Sequence, residues 1–109
     1  MYVTPDAALR FWRKDLGMVD PALLNAAREL VKPGDVVWDI GANVGLFCFA
    51  AAARAGSRGE ILAVEPDLWL VGLLRRSVEE QPDGSAPVRV LGVAAGDSVG
   101  VAEFCIAAR

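Results

Sequence analysis

Two acids and a run of small residues carry most of the chemistry that this chain can offer. In "VVWDIGANVG" (residues 36–45), β-branched and aromatic residues lead into Asp39, followed by Gly41, Asn43 and Gly45. An acid at the end of a strand, then a bare turn, lets a ligand approach the backbone with no Cβ in the way. A helix starting just beyond would add unpaired N–H groups and the positive end of its dipole. Glu65 ends a second apolar run, "EILAVE", about 20 residues after the loop, the place from which a carboxylate accepts hydrogen bonds from ribose hydroxyls. Glycine loop and acid together point to an adenosine-containing ligand. Dinucleotide binders favour G-x-G-x-x-G, whose second glycine lets the backbone reach the pyrophosphate. Here that position is Asn43, and Asp39 adds negative charge where phosphates would lie. A cationic ligand suits this field better. S-adenosylmethionine, with a sulfonium and an ammonium, is favoured over NAD.

The elements that must position these residues follow from periodicity. Pro5 and Asp6 can open a helix through "AALRFWRKDL", which Gly17 stops, with Phe11 and Trp12 expected to pack on the domain. Asp20–Pro21 is a cap and first-turn pair for a second helix, which "KPGD" ends. From Asp35 the pattern changes. "DVVWDI" is a continuous apolar run, expected to be a strand covered on both faces, with Trp38 in the core. Val44–Ala55 is alanine-rich and helix-favouring, and Gly56 is placed to close it. "EILAVE" is a second strand, Asp67 caps a helix with Leu70, Val71, Leu74 and Val78 on one side, and "VRVLGV" is a third strand. Strand–helix–strand–helix–strand with short connections predicts an α/β, Rossmann-like parallel sheet in the order 3-2-1. "VAEFCIA" alternates like a strand. The connection before it is too short for a crossover, so it is expected to hairpin antiparallel onto the third strand.

Composition bounds the remainder. With 109 residues, 54% of them hydrophobic, the chain is one globular domain or part of one. A net charge of −3 and no basic run longer than a pair leave nucleic-acid binding unsupported. No histidine is present, so the commonest metal ligand and general base is missing and no metal site is expected. Cys48 and Cys105 read as buried thiols in a reducing compartment, Cys48 as core and not nucleophile. The longest apolar run is far below the ~20 residues of a membrane span, and charges break up any leader-like segment near Met1. These features point to a soluble cytoplasmic chain.

"WDIGANVG", "AVEPD", "VAAGD" and "GVAEF" together resemble the FkbM-type methyltransferases, S-adenosylmethionine-dependent enzymes of the class I Rossmann-like fold, over most of residues 33–106. The resemblance implies that Asp39, Gly41, Ala42, Asn43 and Gly45 form the cofactor loop and that Glu65 binds the ribose. Pro66 and Ala94 would lie beside the adenine. It implies methyl transfer to a hydroxyl of a sugar or other small natural product by direct displacement. There are departures from the pattern. Val64 stands where the family often has phenylalanine, and Ser77 lies near a common asparagine. The family's later strands have no counterpart here. The chain thus reads as a helical segment (1–32) followed by the cofactor-binding half of a domain (33–109), inactive alone and prone to self-association along the open edge of its first strand. No residue presents itself as the catalytic base. Two other readings stay open, a NAD(P)-dependent oxidoreductase and a non-catalytic assembly module.

Overall fold

The computed structural model describes residues 1–2 and 20–106. The helix expected through "AALRFWRKDL", with Phe11 and Trp12, lies outside the described residues. Helix α1 (Pro21–Leu30) begins where Asp20 accepts a hydrogen bond from the Leu23 N–H at 3.3 Å, with Pro21 in the first turn. Strand β1 (Val36–Ile40), helix α2 (Leu46–Ala55), strand β2 (Glu60–Val64), helix α3 (Leu68–Glu79) and strand β3 (Val88–Leu91) follow. Helix α2 starts at Leu46, not Val44, because Gly45 is its N-cap and sits in the left-handed region (φ 93°). Gly56 closes it as expected. Asp67 caps α3 by accepting from the Trp69 N–H at 3.0 Å.

The three strands are parallel in the order β1-β2-β3, with Asp39 beside Ala63 and Ala63 beside Val90. Two successive right-handed crossovers in one direction place α2 and α3 on the same face of the sheet. That face holds the core. Cys48, Ala51, Ala52 and Ala55 of α2 and Leu74 of α3 pack with Ile61, Ala63 and Val88. The small side chains of α2 let the helix lie close over β2. Turns are stitched to its end, with Gly34 and Ala86 donating to the carbonyls of Ala55 and Ala52 at 2.7 and 2.9 Å. Helix α1 packs on α2 from outside. The chain start is fixed against α3. The Tyr2 N–H donates to the buried Ser77 Oγ at 2.7 Å, and the Arg76 guanidinium lies 4.2 Å from the Tyr2 ring centroid.

Three expectations are corrected. No helix among the described residues covers the other face of the sheet, so β1 is not covered on both sides, and Trp38 is 68% exposed rather than in the core. Continuous hydrophobicity cannot tell a strand covered on both faces from one whose second face awaits a cover. The hairpin strand is also absent: residues 92–106 form no strand, and Val99 and Val101 are fully exposed. Alternation stabilises a strand only when one set of side chains is buried, and here Val99, Val101, Phe104 and Ile106 all stay exposed. Cys105 goes with this segment and is an exposed thiol, not a buried one. Cys48 is buried, and burial followed by the nearby Asp39 carboxylate pushes its pKa up to about 12, leaving it unreactive.

Candidate functional site

The carboxyl ends of all three strands lie along one edge, where an open α/β sheet binds its ligands. After β1 the chain turns sharply. The N–H groups of Gly41 and Ala42 both donate to the Val64 carbonyl, at 2.8 and 3.1 Å, and that of Gly45 donates to Ala42 at 2.8 Å. Gly41 (φ 83°), Asn43 (φ 53°) and Gly45 (φ 93°) all have left-handed backbones. The two glycines do different work. A Cβ on Gly41 would meet nothing within 4 Å, so that side of the loop is open to a ligand. A Cβ on Gly45 would fall 2.6 Å from Phe49 and 2.7 Å from Leu74, so this glycine lets α2 and α3 approach.

Glu65 is buried between two loops. Its Oε2 accepts from the Asn43 N–H and its Oε1 from the Asp67 N–H, both at 2.9 Å. One carboxylate therefore fastens the β1–α2 turn to the β2–α3 turn. Asp39 points from β1 toward the helix-covered side, and its Oδ2 is a buried oxygen with no hydrogen-bond partner. Burial raises its pKa above the usual carboxylate value, the Cys48 backbone N–H opposes the shift, and the Glu65 charge adds to it.

Two cavities flank this centre. One, of about 530 Å³, is lined by Asp39, Gly41, Ala42 and Asn43 on the loop side and by Leu23 and Ala26 of α1. The other, of about 520 Å³, is lined by Pro66, Val93, Ala94 and Phe104. The structure thus brings Asp39, Gly41, Ala42, Asn43, Glu65, Pro66 and Ala94 to one edge. Gly45 lies behind the loop, and Glu65 lines neither cavity. Sequence reasoning missed the α1 wall. Leu23, Ala26 and Leu30 share one helical stripe, which reads equally well as core, and only the docking of α1 beside Asp39 shows it facing a cavity. Among the described residues there is no cluster of metal-ligating side chains, and no helix is long and apolar enough to cross a membrane.

No protein-family model and no curated protein matches the chain. Six solved chains do match its structure. One is TrmN from Thermus thermophilus, an S-adenosylmethionine-dependent tRNA methyltransferase, with a TM-score of 0.56 and 26% identity. The match covers 84% of this chain and 25% of that one, so the chain spans about a quarter of the length of TrmN. The architecture is that of a Rossmann-like methyltransferase fold. The comparison carries no subfamily.

Proposed function

We propose that this chain is the cofactor-holding part of an S-adenosylmethionine-dependent methyltransferase. The observation that carries this reading is Asp39, whose Oδ2 is buried and unpartnered, lining a cavity together with the small residues Gly41 and Ala42 of the turn after β1. Such an oxygen lacks a donor or a cation. The ligand that suits it is positively charged, which favours a sulfonium and ammonium compound over a dinucleotide. Asn43, where a dinucleotide fingerprint has its second glycine, argues the same way.

The residues fit the group. Gly41, Ala42 and Asn43 would cradle the amino-acid portion, with Asp39 facing its positive charge. A carboxylate offers about four acceptor sites, of which Glu65 has used two on backbone N–H groups, leaving two for ribose hydroxyls. Pro66, Val93 and Ala94 would flank the adenine in the second cavity. When bound, the cofactor supplies an electrophilic methyl group. The contribution of this chain is placement: well-oriented reactants recover ~7–11 kcal/mol of barrier. Leu23 and Ala26 add an apolar wall to the first cavity. No described residue stands out as a base, and deprotonation of the acceptor is assigned to none.

The acceptor we favour is a hydroxyl of a sugar or another small natural product. The support is the "WDIGANVG" and "AVEPD" resemblance, together with a net charge of −3 that gives RNA no electrostatic footing. Because the chain spans a quarter of TrmN, turnover is assigned to a longer assembly and binding to this chain. Titration calorimetry with S-adenosylmethionine and with NAD tests the proposal. Heat of binding is expected for S-adenosylmethionine, lost in Asp39→Asn, and none for NAD. Binding of NAD alone would replace this reading with an oxidoreductase.

A further inference from the structure

The groups around Asp39 are arranged to link a ligand's charge to a proton. Its side chain leaves β1 on the side packed by α2, and Oδ2 is buried there with no hydrogen-bond partner among the described residues. Each element against it offers little to a negative charge. Helix α2 brings the Cys48 backbone N–H, which favours the carboxylate, and the Cys48 thiol, which stays neutral with a pKa pushed up to about 12. Strand β2 sets Ala63 beside Asp39 in register. Just beyond that strand stands Glu65, a second acid, held in place by the Asn43 and Asp67 N–H groups at 2.9 Å. Helix α1 adds Leu23, Ala26 and Leu30 to the cavity, none of them titratable. Among the described residues that line this cavity, only Asp39 carries a charge.

Burial above all, with the Glu65 charge adding to it, favours the neutral acid at Asp39. A cation in the cavity reverses that balance, because an opposite charge within ~4–6 Å favours the ionised form. We propose, resting on the assignment of S-adenosylmethionine above, that the empty site holds a proton on Asp39 in mild acid and that the arriving cationic cofactor expels it to solvent. Neutral carboxyl and free cofactor become carboxylate, bound cofactor and one proton in solution, at most one per site. The sign follows. Above the pH range in which the empty site titrates, the carboxylate is already formed and affinity does not depend on pH. Below that range each site must give up its proton, and affinity falls by up to about tenfold per pH unit. The fall stops where Asp39 of the loaded site takes up its own proton. An anionic ligand in the same cavity would reverse the sign and bind better in acid.

Carboxyl carbon-13 NMR of the full 109-residue chain, labelled at aspartate, tests this by following Asp39 through a pH titration without and with saturating S-adenosylmethionine. The Asp39 resonance is the one missing from the spectrum of the Asp39→Asn variant. Its midpoint is expected to drop by ~1–3 pH units on saturation. Calorimetry within the empty site's titration range, in buffers of different ionisation enthalpy, should find a release approaching one proton per cofactor bound. Affinity should level off at higher pH. An Asp39 midpoint that is the same in both states, or an affinity that does not change across the window, overturns the coupling and leaves the cofactor assignment standing. An affinity that improves in acid overturns it as well, because the ligand would then meet Asp39 with negative charge. A chain that is folded by circular dichroism and binds no S-adenosylmethionine at any pH overturns both the coupling and the assignment.

Discussion

Asp39 shows a single residue working against the fold that holds it. Its carboxyl is buried at the start of α2, one oxygen has no partner, and its pKa is raised chiefly by desolvation. In the unfolded chain it titrates near 3.8. Between that value and the higher folded one, the native state binds more protons than the unfolded state, so stability falls as pH rises through this window. Above the window the penalty is complete; below 3.8 it vanishes. Asp39→Asn is therefore expected to be more stable than the parent at neutral pH, with the difference closing as pH drops. Urea unfolding at a series of pH values measures this. A variant less stable at neutral pH would mean that the native carboxylate is compensated. A stabilising loss of the acid fits a residue shaped for a ligand and not for the empty fold.

Between elements, Glu65 is the fastening. It accepts one hydrogen bond from each of the two turns that border the cavities, and it is 6% exposed. Removing it strands two N–H groups in a buried place. Glu65→Ala is expected to lower unfolding free energy by ~2–4 kcal/mol, and Glu65→Gln, which keeps one acceptor, by less. Urea midpoints decide this, and an unchanged midpoint for alanine would show that the turns hold their shape unaided. The cap signals at this scale were legible in the chain, because Asp20, Gly56 and Asp67 act on groups within a few residues. The fastening itself was not. It joins Asn43 to Glu65 across 22 positions, and no local pattern encodes that contact. Helix α2 sets a further test. Ala51 is fully buried against the sheet, so Ala51→Leu should cost ~1–3 kcal/mol through overpacking.

At the scale of the whole fold, the described residues divide into one covered and one exposed face of the sheet. Ala52, Ile61 and Leu74 are wholly buried on the helix side, whereas Val36, Trp38 and Leu91 stand exposed on the other. Protection against hydrogen exchange should follow this division. Amides of β2 and α2 are expected to be the slowest, opening only with global unfolding, while those of residues 93–106 exchange near the rate of an unstructured chain. Strong protection in that last segment would show that it pairs with β3 after all.

The residues alone determined that β1, β2 and β3 are parallel strands joined by helices, because alternating apolar runs with caps and glycine stops leave few other topologies. They also determined that an acid, a bare turn and a second acid end the first two strands. What tertiary structure decided was direction and partnership. Trp38 reads as core in an apolar run, yet it is exposed, because both described crossover helices, α2 and α3, pack on the opposite face of the sheet. "VAEFCIA" alternates as a strand would, yet its described part forms no strand, and neither set of its alternating side chains is buried. Gly41 and Gly45 look alike in sequence; packing of α2 against α3 makes one a structural contact and leaves the other open to a ligand. In each case the chain specifies a side chain's chemistry, and only the packed elements specify what that chemistry meets.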